Sequence, residues 1–333
     1  MQLHPFFLSI FVEKNTMINS VRNTVLSVLN KNNYGYISPA DFNLYAKQAQ
    51  LEVFEEYFSN YNKTITMENV RRSGSDYADL GQALAETMES FLTSNFLIKS
   101  TANNFFTPSI VTTGNEAYLI NRILLYSDLL ASATNTTLLS GSLVDSTANF
   151  INAGVQVGDI VSNGTTNQVA TVTVVTSATS LQLSSNIFTA TATPYFIYDV
   201  SNVKDVEKVS AGKITMLNNS MLTAPSLIFP AYTQENSVFK VYPAVVNKPG
   251  QIQAVYFRYP KDPKWTYVTL SGGEPSFDQS QPDYQDFEMP AEDEFKLVMK
   301  ILQYCGMSIR EEQVTQFGMA QEQHEQPTFS QQQ

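Results

Sequence analysis

The sequence predicts an α+β fold: a helical core carrying an inserted small all-β module (barrel or sandwich), a second β segment and C-terminal helices. Three observations carry this. Apolar residues recur at helical spacing near both ends, in Ile18, Val21, Val25, Val28 and Leu29 and again in Phe295, Val298, Met299, Leu302 and Cys305. From Ile123 to Val203 there is no Lys, Arg or Glu, and Thr, Ser, Val and Gly dominate. Two short apolar runs, VFKVYPAVV and IQAVYFRYP, then flank the turn signal Asn247-Lys248-Pro249-Gly250.

Taken in order, residues 1–16 read as a flexible arm or a mis-assigned start, because the amphipathic pattern begins just after Met17. The apolar run from Pro5 to Val12 is far shorter than the about 20 residues a membrane span needs, and no basic segment precedes it. The first helix stops at KNNYG. Ser38-Pro39-Ala40-Asp41 starts the second, with serine at the N-cap, proline in the first turn and a carboxylate facing the freed amides. Phe42, Tyr45, Ala46, Ala49, Val53, Phe54 and Tyr57 give that helix an apolar face, and a third helix is expected from Ser75 to Leu92. VQVGDIVS, QVATVTVVT, SLQLSS and PYFIYDV, punctuated by Gly141, Gly154, Gly158 and Gly164, predict five or six short strands. Met289-Pro290 opens the last helical region, Gly306 suits its stop, and Ser308-Ile309-Arg310-Glu311 caps a further helix. The expected boundaries are 17–133 for the first part of the helical core, 134–200 for the β module, 201–289 for the β-rich part of the core, 290–321 for the C-terminal helices and 322–333 for a disordered polar tail.

Composition narrows the function. Only 15% of the 333 residues are charged, against about 25% in an ordinary soluble protein, so much of the surface is neutral polar or covered by a partner. The formal net charge of −11 argues against a protein that grips phosphates with Lys and Arg. The charge-poor β module reads equally as a contact surface or as a Thr-rich solvated one. His4 and His324 lie near the two termini, so no imidazole is placed for a catalytic triad. Cys305 is the single cysteine and sits on an apolar stripe; no disulfide or cysteine zinc site follows, and no Gly-rich phosphate loop occurs. No cofactor and no catalysis are expected.

Residues 30–41 imitate a calcium loop, with Asn30, Asn32 and Asp41 at positions 1, 3 and 12 and Gly35 at position 6. One carboxylate cannot offset the desolvation of a doubly charged ion, so calcium is rejected in favour of two helices joined by a corner. Asp283, Asp286, Glu288, Glu292, Asp293 and Glu294 cluster at the start of the last helix, where acids favour the helix dipole; a metal-dependent nuclease is the enzymatic rival. Tyr256, Phe257, Arg258, Tyr259, Trp265 and Tyr267 form an aromatic patch with Lys261 and Lys264. It reads as core packing or a subunit contact before it reads as a base-stacking platform. Tyr256, Tyr259, Trp265 and Tyr267, with Phe295 and Met299 of the last helix, are the candidate interface residues.

INSVRNTVLSVLNKNNYGYISPADFNLYAKQAQLEVFEEYF resembles the N-terminal helices of structural proteins from short-tailed, crAss-like bacteriophages. GSLVDSTANFINAGVQVGDIVSNG resembles small β domains of phage virion proteins, and VEKVSAGKITMLNNSMLTAPSLIFPAYTQENSVFKVYP with IQAVYFRYPKDPKWTY is similar to the core of head–tail connector or ring proteins. The resemblance implies a homo-oligomeric ring, twelve-fold, stacked below the portal protein and bridging capsid to tail in the virion. Double-stranded DNA would pass through its channel without specific binding, no membrane would be involved, and no catalytic residue carries over. A receptor- or glycan-binding tail protein is the alternative, with the β module and exposed aromatics in that role.

Overall fold

The computed structural model describes residues 16–31, 37–71 and 80–309. The proposed N-terminal arm, the middle of the calcium-loop lookalike, the start of the expected third helix, the second C-terminal helix and the polar tail lie outside these residues. The fold is mixed α+β. The described residues up to Met88 and from Pro260 onward make one compact unit, and Glu89–Tyr259 make another.

The first unit begins with α1 (Met17–Lys31) and α2 (Pro39–Arg71). Ile18, Val21, Val25 and Leu29 of α1 are buried, as are Phe42, Ala46, Ala49, Val53, Phe54 and Tyr57 of α2. The start of α2 follows its capping chemistry: the Asp41 amide donates to Ser38 Oγ at 3.2 Å, and Ser38 Oγ donates to the Asp41 carboxylate at 2.6 Å. Helix α3 (Leu80–Glu89) ends three residues earlier than expected. Phe91 is buried just beyond it, and Leu92 already belongs to a strand.

The second unit corrects the expectation of a helical core to residue 133. It contains β1 (Leu92–Phe96), β2 (Asn104–Phe106), a single turn α4 (Ile110–Thr113) and β3 (Ala117–Tyr126). The β module follows as β4 (Leu129–Thr134), β5 (Thr137–Leu139), β6 (Ser142–Val144), β7 (Ile160–Asn163), β8 (Val169–Ser177), β9 (Ser180–Leu183) and β10 (Pro194–Tyr198). After it come β11 (Val203–Asp205), β12 (Glu207–Lys208), α5 (Ala211–Asn218), β13 (Ala231–Glu235), β14 (Val238–Tyr242) and β15 (Ile252–Arg258). VFKVYP and IQAVYFR, adjacent in sequence, enter different sheets. β15 lies in the order β1-β15-β3-β11 and β14 in β12-β13-β14-β2. Alternate residues Ile252, Ala254 and Tyr256 of β15 and Phe239 and Val241 of β14 share one buried cluster, so the two sheets pack face to face.

The module is a seven-stranded sheet in the order β4-β10-β7-β8-β9-β6-β5. Its core is its own: Phe150, Val161, Val172, Leu181, Phe188, Tyr195 and Ile197 are among twelve buried residues gathered inside it. The chain enters and leaves side by side. β3 pairs with β11 (Tyr126 opposite Val203), and β4 pairs with β10 (Leu129 opposite Tyr198). The Asp199 amide donates to the Asp128 carbonyl at 3.0 Å, and Asn202 Nδ2 donates to the Asp128 carboxylate at 2.8 Å, closing this two-stranded neck. A second attachment lies at Pro249-Gly250. Ser162 Oγ of β7 donates to the Pro249 carbonyl at 2.8 Å. Gly250 has φ +76°, and a Cβ there would stand 2.6 Å from Ser162 Cβ, so only glycine lets the backbones approach so closely.

The chain then returns to the first unit with a hairpin, β16 (Tyr267–Thr269) and β17 (Pro275–Phe277), and with α6 (Glu294–Ile309). α6 runs past Gly306, which was expected to end it. Its buried stripe is Leu297, Val298, Ile301, Leu302 and Cys305. Phe295, assigned to the stripe from its spacing, is exposed instead.

Candidate functional site

The acidic cluster dissolves into separate structural contacts within the first unit. The backbone amides of Met17 and Ile18 donate to the Asp286 carboxylate at 3.2 and 2.8 Å, so Asp286 caps α1 from a distant part of the chain. Asp283 pairs with Lys264 at 2.5 Å, and Glu288 accepts from the Lys261 amide at 2.9 Å. Glu294 accepts from Ser20 Oγ at 2.5 Å, Asp293 accepts from the Tyr57 hydroxyl, and Glu292 is exposed. Among the described residues, no group of three or more His, Cys, Asp or Glu side chains could hold a metal ion.

The aromatic patch dissolves in the same way. The chain passes from one unit to the other at Tyr259–Pro260, separating Tyr256 and Tyr259 from Trp265 and Tyr267. Two of the candidate interface residues lie in the interior of their units. Tyr256 is fully buried in the two-sheet core, where its hydroxyl meets Asn95 Nδ2 and Thr113 Oγ1 at 3.0 Å each. Trp265 is buried between helix and hairpin. The Arg22 guanidinium lies 3.8 Å from its ring centre, Tyr267 and Phe277 stack at 5.6 and 5.9 Å, and its Nε1–H donates to Asn19 Oδ1 at 3.1 Å. A side chain already enclosed by its own chain has no face left for a partner. Tyr259 is half-buried against Tyr118, and Met299 is half-buried; Tyr267 and Phe295 stand exposed.

The ionic centre of the first unit holds α2 to α6. Lys300, its side chain 7% exposed, reaches Glu52 at 3.1 Å and Glu56 at 2.6 Å, and Lys296 reaches Glu56 at 2.5 Å. Burial raises the pKa of the Glu56 carboxyl, but the two ammonium groups outweigh it and hold it below the usual range. Burial pushes the Cys305 thiol up to about 12, so it stays an unreactive thiol in the core.

Sequence reasoning missed two surface features of the second unit. The first is an open cleft of about 360 Å³ between the module and the sheets, with Lys99, Ser100, Asn167, Asn247, Phe196 and Lys248 on its walls. Neither lysine forms an ion pair among the described residues. The cleft can attract an anion, but its walls carry no carboxylate, histidine or thiol to move a proton or attack a substrate. Lys248 Nζ stands 5.2 Å from the Phe196 ring centre.

The second feature is exposed apolar surface in separate places. Ile110 and Val111 project from α4, Ile151 and Val157 from the module, and Met216, Met221, Leu222, Leu227, Ile228 and Phe229 from α5 and the turn after it. The density of Met, Leu, Ile and Phe in ITMLNNSMLTAPSLIFP was the signal available in the sequence. Among the described residues no helix is long and apolar enough to cross a membrane. Comparison with protein-family models gives no match, and comparison with curated proteins gives none.

Proposed function

We propose that this chain is a structural subunit of a bacteriophage virion, a homo-oligomeric ring that sits between portal and tail, continues the DNA channel and joins capsid to tail. The observation that carries the reading is the large apolar side chains left in solvent at α4, on the module and, most densely, after α5. A protein with one partner needs one such patch; a ring subunit has neighbours on either side and further proteins above and below. Three lines of support accompany it. The acidic residues that could have formed a nuclease site are engaged in capping and pairing or exposed singly. The module adds surface with no Lys, Arg or Glu. A net charge of −11 lets DNA slide past without being gripped. The rival reading is a receptor- or glycan-binding tail protein.

Immunogold labelling of purified virions with antibody to this chain tests the reading. The expected result is label at a single vertex, between capsid and tail. Label at fibre tips, or none on intact and opened particles, contradicts it.

A further inference from the structure

We propose that the segment Met216 to Phe229 is the surface by which one copy of this chain docks on a second copy. The proposal rests on the self-assembly reading above and names the contact that makes it.

Burial states the case most directly. Met221 is 102% exposed, Leu222 95% and Phe229 78%, with Met216, Leu227 and Ile228 also in solvent. Six exposed Met, Leu, Ile and Phe side chains within one fourteen-residue stretch mark a contact surface, where singly scattered apolar residues would not.

The segment is also built rather than loose. Ser210 caps α5, its Oγ accepting from the Lys213 amide at 3.4 Å, and Ile214 on the inner face is buried with Val209 and Ala231. Beyond the helix, the amides of Thr223 and Ala224 donate to the Ser220 carbonyl at 3.2 and 2.9 Å. Thr223 Oγ1 donates to the Leu217 carbonyl at 3.1 Å, and the Ser226 amide donates to the Phe229 carbonyl at 3.2 Å. These bonds order the backbone of the turn that holds its apolar side chains outward, so docking costs chiefly side-chain rather than backbone freedom.

Charge selects the occupant. From Ile214 to Gln234 there is no Asp, Glu, Lys or Arg. Two copies that each carry −11 repel one another unless they meet through neutral surface, and this stretch is neutral. The same chain offers apolar counter-surfaces at Ile110 and Val111 and on the module at Ile151 and Val157. A contact between unlike faces of identical chains closes into a ring when its rotation divides the circle. Anionic lipid is the poorer match, because a bilayer-docking segment draws on Lys and Arg and this one has none.

The full-length chain and its Leu222→Asp/Phe229→Asp variant are compared by sedimentation and light scattering over a wide concentration range. The wild type is expected to be oligomeric, and the variant to need at least about 100-fold more protein to assemble. Because both side chains are solvent-exposed, the variant is expected to keep its circular dichroism, and to match the wild type's melting temperature when both are diluted to monomer. Amide exchange on the wild type supplies a readout free of substitution: residues 216–229 should slow as concentration rises. Equal assembly of wild type and variant, or unchanged exchange in an assembled wild type, overturns this contact and leaves self-assembly standing. A wild type that is monomeric at every concentration overturns both. Flotation with phosphatidylcholine–phosphatidylglycerol vesicles that depends on Leu222 and Phe229 overturns the proposal in favour of lipid.

Discussion

The helical unit and the β module handle polarity in opposite ways. The helical unit buries charge and neutralises it locally, with Lys300 between Glu52 and Glu56, Asp286 on the end of α1 and Arg22 over Trp265. The module has no Lys, Arg or Glu to pair, and it satisfies its interior with neutral or singly charged hydrogen bonds. Asn163 Nδ2 donates to the Ile187 carbonyl at 2.7 Å, Asn135 Oδ1 accepts from the Thr193 amide at 2.7 Å, and Tyr195 donates to Asp145 at 2.8 Å. Ion pairs fix how particular helices meet, at the cost of sensitivity to pH. A surface without charge tolerates close neighbours of the same kind.

The widest separation of the two regions should come from their largest core side chains. Trp265→Ala removes a ring held by Arg22, Tyr267, Phe277 and Asn19, and Phe150→Ala removes a fully buried ring from the module; each should cost about 3–5 kcal/mol. Amide exchange should show lost protection in the helices and hairpin for the first and in β4–β10 for the second. Uniform loss across the chain in both variants would erase the distinction.

Lys300→Met sharpens the contrast in charge. Removing the ammonium leaves Glu52 facing the Tyr304 hydroxyl and Glu56 dependent on Lys296 alone, and should cost about 2–3 kcal/mol, below the 3–5 of a fully buried pair because both carboxylates are partly exposed. Urea unfolding checks it, and a loss under about 0.5 kcal/mol would show a pair of surface strength.

How much of this was readable in sequence depends on which force decided each element. The start of α2 was legible because Ser38, Pro39 and Asp41 act locally, and the module was legible because its composition changes abruptly. β1 and β3 were missed because LTSNF is short and AYLINRILLY is an apolar run that periodicity alone cannot divide between strand and helix. Gly306 did not stop α6: a mid-helix glycine costs only about 1 kcal/mol, less than the burial of Ile301, Leu302 and Cys305 returns. α5 escaped notice because only Ile214 of its apolar residues is buried, which leaves too short a stripe to mark a packed helix. The aromatic patch misled because adjacency in sequence ends where the chain changes unit.

Acid should act on Glu56 of the helical unit and Asp159 of the module in opposite senses. Glu56 has a folded pKa below its unfolded one, so its contribution is present above the unfolded value near 4.5 and is lost as pH falls through the lower folded value. Asp159 is raised, first by burial and further by the Asp199 charge, so its ionised form weakens the module at neutral pH and its protonation relieves this as pH falls. Glu56→Gln should flatten the acid limb of helix unfolding. Asp159→Asn should stabilise the module at pH 7, with the gain shrinking as pH falls through the raised folded value and gone below the unfolded value near 3.8. Denaturant titrations from pH 7 down to about pH 2 read both, and an Asp159→Asn gain that persists unchanged at low pH would refute the assignment.

The smallest effect concerns one oxygen. Tyr198 is fully buried beside Tyr126 and Ile160, and its hydroxyl has no partner among the described residues. Tyr198→Phe should raise stability by about 1 kcal/mol, seen as an upward shift of the melting temperature. A drop would reveal a bond that the hydroxyl makes in solution.

Electron microscopy of the purified full-length chain tests the central claim most directly. The account predicts closed rings of twelve copies around an open channel, with the segment after α5 covered by the neighbouring subunit. Isolated single copies, or open filaments that never close, would contradict it.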